Sequence, residues 1–303
     1  MIDFIGDIHG HADKLKALLL KLGYSLQNGS YVHPERKALF VGDYIDRGPK
    51  IRETLQIIRR MVEKNHAIAL MGNHEYNALC FHYQESKGGH LRKHLIKNIV
   101  QHYATLQQFH HRQEEYEDYL DWFKTLPLYY ETETFRAVHA CWDHQYIDTL
   151  RAVLPAGRLT DELIYLSVDK ETAFNVAVDE TLKGKEVALP VGFQFQDKED
   201  ILRGGVRIKW WENPSRATYK SLSVIHMESL PEIPMDTALL NSCSHYGEHE
   251  KPVFFGHYWL SGNPDLFRGN ICCLDYSVAK DGPLVAYRFD GEAKLDSKKF
   301  VSV

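Results

Sequence analysis

The chain has little cysteine, no surplus of positive charge and no long apolar run, and each shortage closes off a class of protein. Five cysteines in 303 residues is an odd count. Cys80, Cys141, Cys243, Cys272 and Cys273 lack the paired spacing of a zinc finger or ribbon. The adjacent Cys272 and Cys273 are poorly placed to bridge one another, so reduced thiols and a cytoplasmic location are expected. With 36 Lys and Arg against 41 Asp and Glu, the formal net charge is −5, which leaves no basic footprint for general nucleic-acid binding. Any anionic ligand would have to be drawn in by local cations rather than by the whole-molecule field. No segment is long and apolar enough to span a bilayer, and Ile2 to Ile5 read as a strand rather than a leader, so no membrane partner is expected. Internal repeats and low-complexity tracts are also missing.

Histidine is what the chain has in excess, with 17 residues, and four of them fall in short blocks with a common context. The blocks are Gly6-Asp7-Ile8-His9-Gly10, Gly42-Asp43-Tyr44-Ile45-Asp46-Arg47-Gly48, Gly72-Asn73-His74-Glu75, Val138-His139-Ala140 and Gly256-His257. Each follows an apolar run that reads as a strand: Ile2 to Ile5, Ala38 to Val41, Ala67 to Met71, Phe135 to Val138, and Val253 to Phe255. Strand ends far apart in sequence can converge in space, and what would converge here is Asp7, His9, Asp43, Asn73, His139 and His257. Oxygen and imidazole donors without a thiolate suit borderline or hard divalent ions such as Mn, Fe, Zn or Co. Asp7 and His9, two residues apart, can aim at one ion from a bent loop. The two oxygens of Asp43 make it the natural bridge to a second ion completed by Asn73, His139 and His257. Arg47 is the expected substrate grip, because its planar guanidinium donates two hydrogen bonds to two phosphate oxygens, which lysine does not copy.

The first third alternates strand with helix, one helix carrying Leu15, Leu18, Leu19 and Leu22 and the next Leu55, Ile58 and Val62, as in a layered α/β core. Residues 77–124 read as helical and polar, and their histidines (His82, His90, His94, His102, His110 and His111) as a solvated helix face. From His144 to Glu250 the pattern degrades into helical pieces and loops, the expected cap or insertion over the active-site face. The strands return at Val253 to Phe255, Ile271 to Leu274 and Leu284 to Phe289.

In these blocks and their order, from Asp7 to His257, the sequence resembles the calcineurin-like metallophosphoesterases, in the branch of phosphoprotein phosphatases and bacterial diadenosine tetraphosphate hydrolases. The resemblance implies a four-layer α/β/β/α sandwich, here one domain over 1–303 with 144–250 as its cap. It implies the same two ligand sets, Asp7, His9 and Asp43 on one ion and Asp43, Asn73, His139 and His257 on the other. Two divalent or mixed-valence ions are expected, Mn most readily in vitro, roughly 3.5–4 Å apart and activating hydroxide for in-line attack on phosphorus. It further implies that His74 protonates the leaving group, that Asp46 orients His74, and that a second arginine (Arg203 or Arg207) joins Arg47. Tyr276, with Trp142, Tyr258 and Trp259, offers an aromatic wall for the substrate.

The expected activity is therefore hydrolysis of a phosphoester or phosphoanhydride. The long segment before His257 favours a small phosphorylated molecule or dinucleoside polyphosphate. The alternative is a protein Ser/Thr or Tyr phosphatase, toward which the Asp46 and Glu75 positions pull, with a phosphoprotein as partner. Two further readings are weaker. A nucleic-acid phosphodiesterase would want a basic groove, for which Arg203, Arg207 and Lys209 offer at most a local patch. A non-catalytic scaffold tends to have lost ligands, and none is missing. The sequence leaves oligomeric state open.

Overall fold

A computed structural model describes residues 1–86, 88–196, 202–224, 228, 230–235 and 245–303. Two sheets lie face to face at its centre. The first orders its strands Phe300–Ser302, Val285–Phe289, Ile2–Ile5, Lys37–Phe40 and Ala67–Ala69, the last three parallel to one another. In the second the order is Ile271–Cys273, Val253–Phe255, Arg136–Val138 and Tyr129–Glu131, and its first three strands are parallel.

Alternation along each strand sorts the side chains between two cores. Phe4, Leu39, Val41, Ala137, Phe254, Cys272, Val285 and Tyr287 point between the sheets and form one buried cluster. Phe4 of the first sheet stacks on Phe254 of the second with ring centroids 3.6 Å apart. The neighbouring residues Ile5, Ala38, Phe40, Val138, Val253, Phe255 and Cys273 point outward into a second cluster. On the outside of the first sheet that cluster takes Leu15, Leu18 and Leu19 of helix Ala12–Lys21 and Leu55 and Ile58 of helix Ile51–Glu63. Outside the second sheet it takes Ile147 and Leu150 of helix His144–Val153, Ala177 and Leu182 of helix Ala173–Lys183, and Trp210 and Trp211. Helix, sheet, sheet and helix are the four layers expected.

The described elements of residues 144–250 pack on two different cores. The helices up to Lys183 bury their apolar faces in the main core. Beyond them, short ribbons (Glu186–Ala188 with Gly205–Arg207, and Phe195–Gln196 with Leu202–Arg203) carry a small core of their own that includes Val187, Phe195, Val206, Ile208 and Leu222. Cys80, Cys141, Cys272 and Cys273 are buried free thiols; Cys243 lies outside the described residues. No helix among the described residues is long and apolar enough to cross a membrane.

Candidate metal centre

The parallel strands Ile2–Ile5, Lys37–Phe40, Ala67–Ala69, Arg136–Val138, Val253–Phe255 and Ile271–Cys273 deliver the loops that carry Asp7, Asp43, Asn73, His139, His257 and Asp275 from their carboxyl ends. That edge of an open parallel sheet is where ligands are usually bound, because its connections cross above it rather than through it. The loops are drawn unusually tight. His9, Asp43, Asp46, Arg47 and His257 all have positive φ, between 44° and 74°. Non-glycine residues rarely adopt this region, and such strain persists only where surrounding contacts over-determine it. Close approach also dictates glycine. A Cβ on Gly72 would lie 2.2 Å from both the amide nitrogen and Oδ1 of Asp43, and one on Gly256 would lie 1.9 Å from Asp7 Oδ1.

All six expected ligands are buried, none more than 7 % exposed. His9 Nδ1–H donates to the Ile45 carbonyl (2.9 Å), which turns the Nε2 lone pair inward, 3.6 Å from Asp43 Oδ2. His139 Nδ1–H donates to the Val41 carbonyl (2.9 Å), leaving Nε2 3.4 Å from Asp43 Oδ1 and 3.0 Å from Asn73 Oδ1. His257 Nδ1 approaches the same Asn73 oxygen at 2.8 Å. Two compact groups result, His9–Asp43–His74 and Asp43–His139–His257, with Asp43 common to both.

The donor set fits divalent cations. Asp7 Oδ1, His9 Nε2 and His257 Nε2 are buried with no hydrogen-bond partner, whereas buried polar atoms are otherwise nearly always satisfied. In the neutral ring His139 Nε2, Asn73 Oδ1 and Asp43 Oδ1 are all electron-rich and face one another, an arrangement that a cation relieves. Titration reflects the same crowding. Burial, then Asp275 and Asp43, push the Asp7 carboxyl well above its ordinary value. Burial works against charge on Asp43 too, but His139, His74 and His9 outweigh it and hold that carboxyl well below the usual range. His9 is depressed to about 3, by burial and then by His74.

His74 is the second residue of helix Asn73–His82, so its side chain leaves in a different direction from Asn73. Its Nδ1–H donates to Asp46 Oδ2 at 2.5 Å, while Nε2 lies 3.9 Å from Asp43 Oδ2. Burial disfavours the charged ring, but Asp43 and Asp46 raise its pKa above the ordinary value. The Arg47 guanidinium lies 4.0 Å over the Trp259 ring, and Lys280 approaches the same ring at 4.8 Å. The charge of Arg207 reaches His257, where only burial depresses the ring more; Arg203 sits on the exposed Leu202–Arg203 ribbon.

Three of the four aromatics expected at the substrate wall are placed elsewhere. Tyr276 belongs to the inter-sheet core, and its hydroxyl accepts from the Asp265 amide (2.8 Å) and donates to the Asp265 carbonyl. Trp142 and Tyr258 are buried in the outer core. Trp259, partly exposed beneath Arg47, is the one that stands at the rim.

Several residues that shape the site had no structural role assigned from the sequence. Glu75 is fully buried and accepts from the backbone amides of Asp43 (2.9 Å), Tyr44 (2.8 Å) and Gly72 (2.9 Å). It clamps the bridging loop, and burial followed by Asp43 pushes its carboxyl up to about 7. Its signal was available, since a glutamate three residues after a helix-starting glycine is the acidic half of a capping box. Asp275 accepts from the Trp259 amide at 2.7 Å and so shapes the loop after His257. Histidines of the expected solvated face also diverge. His90 and His94 stack on each other and His94 on Phe81, but His102 is buried and bonded to Asp46 at 2.8 Å.

Loops from six strand ends that gather carboxylate, carboxamide and imidazole donors around a shared aspartate define a metallohydrolase-type centre. The chain belongs to the calcineurin-like phosphoesterase family, whose description matches residues 1–163. It is 31% identical over 140 residues to the asymmetrical bis(5'-nucleosyl)-tetraphosphatase PrpE of Oceanobacillus iheyensis, covering 46% of this chain and 54% of that protein. To the protein of the same name from Halalkalibacterium halodurans it is 48% identical over 73 residues, 24% of this chain and 30% of that one. The match thus spans about half the length of the first relative and less of the second. A solved chain provisionally named a diadenosine tetraphosphatase is 17% identical with a TM-score of 0.49, over 100% of this chain and 92% of that one. A protein serine/threonine phosphatase from Saccharomyces cerevisiae is 14% identical with a TM-score of 0.43, over 100% of this chain and 78% of that one.

Proposed function

We propose that this chain is a dinuclear metal-dependent phosphoesterase that hydrolyses phosphoester or phosphoanhydride bonds of small phosphorylated molecules, dinucleoside polyphosphates above all. The observation that carries the reading is two buried donor groups that share Asp43, His9–Asp43–His74 and Asp43–His139–His257, with Asn73 Oδ1 against His139 and His257 and with Asp7 Oδ1, His9 Nε2 and His257 Nε2 left unsatisfied. Asp7, His9 and Asp43 would hold one ion and Asp43, Asn73, His139 and His257 the other, Mn being the ion to supply first. When bound, such ions contribute Lewis acidity at phosphorus and acidify water.

The residues supply the rest. Arg47 grips two phosphoryl oxygens, and its stacking on Trp259 holds the guanidinium at the rim before substrate arrives. As oxygen from water bonds to phosphorus and the bond to the leaving oxygen breaks, His74 gives its Nε2 proton to that oxygen. Asp46 keeps Nδ1 protonated and the ring aimed. Lys280 and Arg207 add positive charge around an otherwise acidic molecule, as a polyphosphate requires.

The relatives named as bis(5'-nucleosyl)-tetraphosphatases support the dinucleotide preference. The Gly72-Asn73-His74-Glu75 and Asp46 positions favour the protein-phosphatase reading. A matched panel with Mn decides: diadenosine tetraphosphate, phosphoserine and phosphotyrosine peptides, and simple phosphomonoesters, compared by kcat/KM. The dinucleotide is expected to lead. A phosphopeptide preferred by about a hundredfold, roughly 2.7 kcal/mol of transition-state binding, would reverse the assignment.

A further inference from the structure

Behind His74 the hydrogen bonds continue through Asp46 into a part of the molecule far away in sequence. Asp46 Oδ1 accepts from His102 Nδ1–H at 2.8 Å and from the Thr105 hydroxyl at 2.6 Å, and the Asp46 amide donates to Thr105 Oγ1 at 3.0 Å. His102 and Thr105 lie one turn apart on helix Ile96–Gln108, on its buried face. On the far side His102 Nε2 meets the Tyr116 hydroxyl, from helix Gln113–Lys124, at 2.7 Å. The same helix is tied to the loop again at its end, where Gln108 Oε1 accepts from the Ile51 amide and Gln108 Nε2 donates to the Gly48 carbonyl.

The order of donors along this chain is fixed by chemistry. Burial raises the Tyr116 phenol well above its ordinary pKa, so it stays protonated and donates to His102 Nε2. With Nε2 accepting from Tyr116, Nδ1 is the His102 nitrogen that donates to Asp46. Oδ1 of Asp46 is thereby filled by two donors, and Oδ2 is left for His74 Nδ1–H alone. An aspartate held this way neither turns nor takes the proton from His74. His74 is then confined to the tautomer and direction that present Nε2 to the leaving group. Asp46 itself sits at positive φ, in a loop that such bonds would help to hold.

From this we infer that His102, oriented by Tyr116 and assisted by Thr105, is a positioning residue for the proton donor: it fixes the Asp46 carboxylate and, through it, the tautomer and aim of His74. The inference rests on the general-acid reading of His74 given above. It assigns a role in proton delivery to a helix that the sequence presents as a polar surface.

The test uses the full chain with Mn and two substrates of equal charge, p-nitrophenyl phosphate, whose leaving group needs little protonation, and an alkyl phosphate, whose leaving group needs much. His102→Leu should lower kcat for the alkyl ester about tenfold or more, with KM unchanged, and move p-nitrophenyl phosphate hydrolysis by less than about threefold. His102→Asn, whose carboxamide N–H can replace the Nδ1–H donor, should restore most of the loss; Tyr116→Phe should show a smaller loss of the same selectivity. In a His74→Asn background, His102→Leu should have no further effect. Equal losses for both substrates, or losses that multiply with His74→Asn, would show a merely structural role and overturn the inference. Should His102→Leu fail to fold, Tyr116→Phe, with its smaller loss of the same selectivity, carries the comparison. If His74→Asn alone showed no leaving-group dependence, the general-acid reading would fail first, and that result is distinct from the others.

Discussion

The strand-end loops and the ribbons between Glu186 and Met235 are built on opposite terms. The loops are buried, bent into positive φ at five functional residues, and locked by side chains that accept several backbone amides each, Glu75 foremost. Among the described residues the ribbon strands are two or three residues long, pair with one another, and pack on a small core apart from the main one. Metal chemistry needs donors fixed to within a fraction of an ångström, which only an over-determined backbone supplies. Arg207, whose charge bears on His257, ends one of the ribbons. Under the proposed function, the strand-end loops would set the reaction and the ribbons would adjust what is admitted.

The largest expected effect lies at the centre of the rigid region. Asp43→Asn removes the charge shared by both donor groups and should abolish nearly all activity and lower the metal content measured by elemental analysis. Exhaustive chelation of the unaltered protein should do the same, with recovery on adding Mn. Full turnover after metal removal would sink the two-ion reading.

Substitutions of the three arginines sharpen the contrast between regions. Arg47→Lys keeps the charge and loses the two-pronged geometry, so kcat/KM should fall about 10- to 100-fold at intact metal content, the range of charged hydrogen bonds. Arg207→Ala should cost less, mostly in KM for polyphosphates, and Arg203→Ala should stay within about twofold. If Arg207→Ala proved the more damaging, the phosphate grip would belong to the ribbons and the division of labour would be wrong.

The smallest effect separates packing from catalysis at Tyr276. Tyr276→Phe loses the hydroxyl's bonds to the Asp265 backbone. It should cost about 1 kcal/mol of stability, a few degrees in Tm, with kcat unchanged. A fall in kcat without a fall in Tm would return Tyr276 to the substrate wall.

Much of this was legible in the sequence for a local reason. A strand that ends in Gly-Asp, Gly-Asn-His or Val-His announces itself within a few residues, because strand periodicity, the tight turn and the donor atom are adjacent along the chain. The layered α/β core follows from such alternation, and the six donors from their place just after it. What the tertiary structure alone decided are contacts between residues remote in sequence. That His102 reaches Asp46 across 56 residues, while Tyr276 turns into the space between the sheets and Trp259 turns out beneath Arg47, depends on which neighbour fills each space once the sheets close. Periodicity gives the face of a helix or strand but not the identity of what packs against it, so the side chains that gather at the strand ends could be read from the chain, and the groups that bond to Asp46 from another helix could not.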